Sequence, residues 1–554
     1  MNSVFLSEPQ PLEAAASGMQ PPTLADPGLQ PLGPLTTATA ATPAGVSGLS
    51  GDVTRRLVGG TSALSLGIFL ERGSGFLANI LAARFAGTMA FGAYSFAIST
   101  ANQISTYAAG GIGATAARFS GKYPRGTAGY STLARALTIV SLVSAALAVC
   151  ALWFGAAPLA HLLHKPEFTR LLRWAALSAA GMLLLECARG FFVGQRRLGA
   201  IVMLSLVVGV GMITLLPAAA HLRNPVDMIV IQGSITTSAV VICLLLSGPL
   251  SLHAPSRVRS LPLGPVLREV WSFGFVQLAG LVGSNLAGWW VTFLIARGDA
   301  TMVQMSFFGI ASQLRNIAGI APGLLTEGSY AVMADPLGEA ERTPHRVMAL
   351  CSFASIALAL TLAVVGITIV PWGITLLYGR SYAPAGTTAA VALAIAVVHM
   401  GNAPVAARLT IVSIRATAVI NTVWAVFVAS AATLFLLKGG EAWQAMAIYF
   451  FAHVLSSTLV LLTLRRLDHI PPGLSLLFVF ATAMASLFAA LAVLREFRPA
   501  LNGSVTSAMG VLVLLTTAGL FALGRHYHWL PTASAIAAAT ASIRARLPHR
   551  RSHV

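Results

Sequence analysis

Apolar runs of about 20 residues recur along most of this chain, and they constrain its fold more than any other feature. Each run is long enough for a helix to cross a bilayer. A helix also satisfies its own backbone hydrogen bonds, as the hydrocarbon interior requires. Only 9% of the 554 residues are charged, against about 25% in a soluble domain. The sequence therefore predicts an all-α polytopic membrane protein.

Fourteen membrane-spanning helices are predicted, two of which contain Pro322 and Pro404, where proline favours a kink. An even number of spans puts both termini on one side. With both termini in the cytoplasm, 23 of the 35 Lys and Arg residues lie on the cytoplasmic side and ten on the other, as the positive-inside rule favours. The approximate bounds are 57–83, 91–116, 132–158, 171–193, 199–220, 227–249, 266–296, 303–333, 347–376, 386–407, 415–437, 442–464, 473–494 and 504–524.

An internal repeat organises these spans. The segment 81–104 aligns with 294–317, with seven of 24 positions identical, so helices 7 and 8 are predicted to repeat helices 1 and 2 in parallel topology. The first 54 residues contain no Lys or Arg and many Pro, Ala, Gly and Thr. This composition is typical of a disordered segment and unlike that of a secretory signal peptide. The predicted parts are a disordered cytoplasmic tail (1–54), an N-terminal lobe of helices 1–6 (55–263), a C-terminal lobe of helices 7–12 (264–470), helices 13 and 14 (471–526) and a basic cytoplasmic tail (527–554).

Charged residues inside the predicted spans are the first candidates for a site. Glu71 and Arg72 are neighbours in the middle of the first span. They point about 100° apart on a helix, so they cannot neutralise each other side by side. Glu71 could still be a packing partner for Arg72, or for Arg315 on a neighbouring helix. An arginine this deep costs roughly 2.5–3.5 kcal/mol on insertion scales and usually faces a hydrated path.

Polar residues on helices 1, 2 and 8 reach a similar depth, although amides in membranes are also common helix–helix contacts. Arginine binds phosphate through paired hydrogen bonds, and amides suit sugar hydroxyls. Glu71 and His399 are candidates for ion coupling, and His399 could equally be a core histidine. The predicted substrate-binding residues are Arg72, Asn79, Asn102, Gln103, Arg315, Gln313 and Asn316.

Several classes of chemistry are not expected. The four cysteines are far apart in sequence and the histidine pairs His161/His164 and His526/His528 lack companion ligands, so neither a disulfide framework nor a metal site is predicted. The net charge of +18 is explained by cations in loops between spans, without nucleic acid. The chain has no Walker A motif, so ATP hydrolysis and a bound cofactor are not expected.

Residues 80–123, "ILAARFAGTMAFGAYSFAISTANQISTYAAGGIGATAARFSGKY", resemble the opening of the Wzx-like bacterial polysaccharide flippases. These belong to the multidrug/oligosaccharidyl-lipid/polysaccharide exporter superfamily. The likeness is carried by the turn at Leu81–Gly87, the helix start at Phe91–Ser95 and the small-residue run at Gly110–Lys122. The segment 376–397, "LLYGRSYAPAGTTAAVALAIAV", resembles the turn before helix 10 in that family.

This resemblance implies a flippase for an undecaprenyl-diphosphate-linked oligosaccharide. Such a protein moves its substrate to the outer face of a bacterial inner membrane by alternating access, driven by an ion or proton gradient. The implied pathway is exopolysaccharide or O-antigen biosynthesis, with a polysaccharide polymerase and export machinery as partners besides membrane lipid. Two alternatives stay open: an ion-coupled multidrug exporter of the same fold, and a membrane polysaccharide polymerase or ligase. The last is disfavoured because every predicted outer loop is short.

Overall fold

The computed structural model describes residues 47–123, 128–246, 262–326 and 342–530, and this part of the chain is helical without strands. A further helical stretch covers 320–326. Most of the predicted tail 1–54 and nearly all of the predicted tail 527–554 lie outside the described residues. The helices are α1 (Ser47–Ala109), α2 (Ile112–Lys122), α3 (Ala128–Leu162), α4 (Phe168–Gly194), α5 (Leu198–Ala220), α6 (Pro225–Leu246), α7 (Leu263–Gly298), α8 (Val303–Ala318), α9 (Arg342–Tyr378), α10 (Ala385–Val412), α11 (Ile414–Leu436), α12 (Ala442–Arg466), α13 (Leu474–Phe497) and α14 (Asn502–His526).

Each of the fourteen predicted spans overlaps one of these helices. Within the described residues, 11 helical segments are long and apolar enough to cross a membrane. One of them, Phe69–Ala109, contains Gly87, whose φ of 81° and ψ of 171° divide it into two helical halves. The predicted polytopic all-α membrane fold is thereby confirmed.

The two aligned segments of the internal repeat break at equivalent places. In the first copy the break is at Gly87 of α1. In the second it falls between α7 and α8, where Asp299 ends one helix and Met302, with a φ of 62°, begins the next. Both copies therefore have the same local form, a long helix followed by a turn and a second helix.

Two predicted helices need correction. The span 91–116 is interrupted at Gly110 and Gly111, which have φ values of 50° and 72°, a region that glycine adopts without steric cost. The predicted span 303–333 does not form one continuous helix, because α8 ends at Ala318. Pro404, in contrast, does not interrupt its helix, since α10 continues through this residue.

The helices pack in two groups along the chain. In the first half α4 lies against α2, α3 and α6, and α5 packs on α6. In the second half α10 is the central element and contacts α8, α9, α12 and α13, while α7 packs along α11. Helix α7 also contacts α2 and α3, so it joins the two groups.

Close packing between α2 and α4 depends on glycine at Gly190, where an added Cβ would overlap the carbonyl oxygen of Gly113. We expect Gly190→Ala to destabilise the protein by about 1–3 kcal/mol, because the two helices must separate. Gly155→Ala in α3 is the matched control, since a Cβ there meets nothing within 4 Å. Thermal midpoints in detergent distinguish the two variants, and an unchanged midpoint for Gly190→Ala would show that this contact is not tight.

Candidate functional site

A polar cavity of about 320 Å³, here called the central cavity, lies deep among the helices. Arg315 lies about 18 Å along α8 from its first residue, and His399 about 21 Å along α10, at 1.5 Å per residue. Both residues lie within segments that the sequence predicts to cross the bilayer, 303–333 and 386–407. The cavity is lined by Ser99, Asn102, Gln103, Ser284, Asn285, Gly288, Trp289, Thr292, Arg315, Asn316, His399, Met400, Trp424, Tyr449 and His453.

Arg315 gives the central cavity its positive charge. Its guanidinium carbon lies 5.6 Å from the centroid of the Tyr449 ring, a distance at which a cation is attracted to the ring face. The Tyr449 hydroxyl donates to the Gly288 carbonyl at 2.9 Å, which fixes the ring under the cation. Apart from two histidines, the remaining lining side chains are neutral amides, hydroxyls, aromatics and a methionine. This arrangement suits an anion with hydrogen-bonding groups around it.

A pair of histidines lies beside this arginine. His399 Nδ1 and His453 Nδ1 are 3.1 Å apart, so the N–H of one ring donates a hydrogen bond to the ring nitrogen of the other. The Trp424 ring lies 5.5 Å from the His453 ring and stacks on Tyr449 at 6.0 Å between centroids. The aromatic residues thus hold the histidine pair against the wall that carries Arg315.

A second cavity of about 470 Å³, here called the N-terminal cavity, is acidic. Arg189 Nη2 donates to both carboxylate oxygens of Glu71 at 2.5 and 2.6 Å, and its Nη1 donates to Glu186 at 2.7 Å. The negative charge of Glu71 is therefore balanced by Arg189 of α4. The cavity is lined by Glu71, Gly75, Asn102, Ser105, Thr106, Ala109, Gly111, Ile112, Gly113, Ala114, Met182, Leu185, Glu186, Val208, Met212, Gln232 and Thr236.

The predicted site residues lie partly in the central cavity, partly in the N-terminal cavity and partly outside both. Five of them line the central cavity, and Asn102 lines both cavities, so the two meet at this residue. Arg72 is exposed and lines neither cavity. Asn79 donates to the Gly75 carbonyl of its own helix at 2.8 Å, and Gln313 is half-buried outside both linings. The five are Asn102, Gln103, Arg315, Asn316 and His399.

The site also contains residues that the sequence reasoning missed. His453 lies inside the predicted span 442–464, so a search for every ionisable residue within spans would have found it. Tyr449 and Trp424 carried no such signal, because aromatic residues are common in membrane helices. Arg189 lies near the end of the predicted span 171–193, and only the packing of α4 shows that it is the partner of Glu71. Among the described residues, no group of three His, Cys, Asp or Glu side chains could hold a metal ion.

Helix α7 is tied to the first half of the chain at both of its ends. Near its start, Lys122 donates to Glu269 at 2.7 Å, and this hydrogen bond raises the pKa of Lys122 above its ordinary value. The Lys122 ammonium therefore keeps its charge at neutral pH, and its contribution to this contact is lost as the pH rises through that raised pKa. About 40 Å away along the helix, Lys165 donates to the Ala296 carbonyl at 2.9 Å and to the Asp299 carbonyl.

A covalent cross-link at the first of these ties is expected to stop movement at that end. In a background without the native cysteines, Lys122→Cys and Glu269→Cys would be joined by a short reagent that forms a disulfide with each cysteine, since the two long side chains span more than one disulfide bond does. Any activity that needs the helices to separate should then be lost and should return on reduction. Lys122→Cys alone is the control. Full activity in the cross-linked double variant would contradict a role for this tie in opening.

Comparisons with known proteins place the fold. A family profile described as "Polysaccharide biosynthesis protein" matches residues 57–332. The structure resembles the lipid II flippase MurJ in an inward closed conformation, with a TM-score of 0.53 and 12% identity over 84% of this chain and 98% of that chain. It also resembles an inward-facing multidrug resistance MATE family transporter of the MOP superfamily, with a TM-score of 0.57 and 13% identity over 77% of this chain and 98% of that chain. No curated protein matches this sequence.

Proposed function

We propose that the chain is a member of the multidrug/oligosaccharidyl-lipid/polysaccharide exporter superfamily and a flippase for an undecaprenyl-diphosphate-linked oligosaccharide. The profile match over residues 57–332 and the likeness of the fold to MurJ and to a MATE transporter support this proposal. The protein would carry this substrate from the cytoplasmic to the outer face of a bacterial inner membrane. The observation that carries the proposal is the central cavity, where Arg315 lies among neutral amides and hydroxyls. A diphosphate joined to sugars is complementary to this lining, because its negative charge can pair with Arg315 and its hydroxyl groups can hydrogen-bond to the amides and hydroxyls.

The proposed mechanism uses the groups that line the central cavity. Arg315 holds a phosphate of the diphosphate through its planar fork of donors. Asn102, Gln103 and Asn316 hydrogen-bond to sugar hydroxyls. The lipid stays in apolar surroundings while the headgroup crosses. Access alternates when the helices separate first at the end tied by Lys122 and then at the end tied by Lys165.

We propose that an ion or proton gradient drives the cycle. The His399–His453 pair can bind an additional proton, and an anion in the same cavity would favour that protonated form because it offsets the charge. Glu71 is the second candidate, although its carboxylate is engaged by Arg189. Substituting each of these residues and measuring transport at several proton gradients would separate the two.

A multidrug exporter of the same fold is the second candidate, favoured by the structural likeness to the MATE transporter. A cationic drug would need an acidic path. The positive central cavity disfavours it, whereas the N-terminal cavity contains Glu71 and Glu186. An enzyme of polysaccharide polymerisation or ligation is the remaining alternative.

Deletion of the gene in its own host tests the proposal. We expect the lipid-linked oligosaccharide to accumulate on the cytoplasmic leaflet and surface glycan, an exopolysaccharide or O-antigen, to be lost. A polymerase and export machinery would act on the translocated substrate. Normal glycan with new sensitivity to cationic dyes would favour the multidrug exporter, and unpolymerised repeats on the outer face would favour the enzyme. Versions of the protein tagged at either terminus, expressed in the same host, test the expected cytoplasmic location of both ends.

A further inference from the structure

A groove of about 800 Å³, here called the lateral groove, runs between α7 and α11. Its walls are largely apolar side chains and small residues. Leu286, Ile414 and Val426 on its walls are 49%, 71% and 60% exposed, as expected of surfaces that face lipid. The groove follows α11 from Ile414 to Ala429, about 22 Å at the rise of a helix.

The lateral groove adjoins the central cavity. Ser284 and Trp289 line both. The Trp289 indole donates to Thr100 Oγ1 at 3.2 Å, and the Trp290 indole donates to Thr433 Oγ1 at 2.8 Å, so both rings are held in place. An apolar groove on the outside of the helices thus lies next to the cationic polar cavity.

We propose that the lateral groove binds the polyprenyl chain of the lipid-linked substrate while the diphosphate lies at Arg315. This inference rests on the proposed function and names where the lipid lies. An occupant of both spaces must join an apolar chain to an anionic, hydroxyl-bearing headgroup. The groove is a single channel between two helices, which matches the one chain of a polyprenyl lipid better than the two chains of a phospholipid.

The direction of the groove fits loading from the cytoplasmic leaflet. Its lining begins at Ile414, the first residue of α11, and this is the end predicted to be cytoplasmic. Asn421, Thr417 and Thr422 supply the few polar groups on the α11 wall. With the headgroup in the central cavity, beside Ser284 and Trp289, the polyprenyl chain would lie along the groove toward Ile414.

Filling the groove tests the proposal. Ala418 and Thr422 line the groove and are exposed in it, so Ala418→Trp and Thr422→Trp should each occupy its space. Val419→Trp is the matched control, because Val419 is 63% exposed on the same helix and does not line the groove. Purified full-length protein in nanodiscs would be titrated with a long-chain polyprenyl diphosphate and separately with inorganic pyrophosphate. Gel filtration confirms that each variant is folded.

We expect wild type and Val419→Trp to bind the polyprenyl diphosphate at least tenfold more tightly than pyrophosphate. Both groove variants should lose this difference and bind pyrophosphate as wild type does. Polyprenyl binding unaffected by both substitutions would overturn the inference while leaving the proposed function intact, as would equal competition by phosphatidylglycerol. Binding of neither ligand by wild type would overturn the proposed function and the inference together.

Discussion

Arg315→Ala is expected to reduce glycan export more than tenfold while the protein remains folded in the membrane. The substitution removes the cation of the central cavity and the donors proposed to bind a phosphate. Hydrogen bonds to charged groups are each worth about 1.5–3 kcal/mol, and 1.4 kcal/mol corresponds to a factor of ten. Arg315→Lys should retain part of the export, because it keeps the charge but loses the bidentate geometry. Export is measured as surface glycan normalised to membrane-inserted protein.

Arg72→Ala is the matched control for this prediction. Arg72 was also predicted to bind substrate, but its side chain is exposed and lines neither cavity. We expect its removal to change export by less than twofold, an estimate that follows from the usual small effect of surface substitutions. Normal export by Arg315→Ala would contradict the cationic site, and equal losses in both variants would contradict the distinction between the two arginines.

Arg189→Ala is expected to produce the second large effect, on stability. It leaves Glu71 without the Arg189 Nη2 donor that reaches both of its carboxylate oxygens, in a position where the Glu71 side chain is only 22% exposed. Removing one member of a buried pair costs about 3–5 kcal/mol, and partial exposure reduces this to roughly 2–3 kcal/mol. Glu71→Gln should cost less, because Arg189 keeps its contact with Glu186. Thermal midpoints of the purified variants measure both effects.

Glu186→Gln provides the control for the ion pair. The Glu186 side chain is 54% exposed, so the loss of its charge should cost at most about 1 kcal/mol. Combining Arg189→Ala with Glu71→Gln should recover part of the stability lost in Arg189→Ala alone, since no carboxylate is then left unbalanced at position 71. Additive losses in that double variant would show that the two side chains do not interact energetically.

The sequence was sufficient for the fold because hydrophobicity alone determines which segments enter a bilayer. Hydrophobicity alone does not show where a helix breaks. Gly110 and Gly111 interrupt a predicted span, and the adjacent pair of glycines was a signal for that turn. Pro404 lies inside α10 without ending it, because neighbouring helices surround that residue and support the helix.

The candidate site was harder to predict because it depends on which helices are neighbours. The amides at Asn102 and Asn316 were found from their depth and face, and both line the central cavity. The partner of Glu71 could not be found in this way. Periodicity shows that Glu71 and Arg72 face different directions, but only packing shows that Arg189 of α4 lies opposite Glu71. The neighbour of His399, His453, likewise depends on the contact between α10 and α12.

Reconstitution is the most direct test of the central claim. Purified protein would be placed in liposomes with a lipid-linked oligosaccharide diphosphate in one leaflet, and its appearance in the other leaflet would be measured with and without a proton gradient. Wild-type protein is expected to move this lipid, and Arg315→Ala is expected not to. Failure of folded wild-type protein to move it, with transport of a cationic drug instead, would contradict the proposed function.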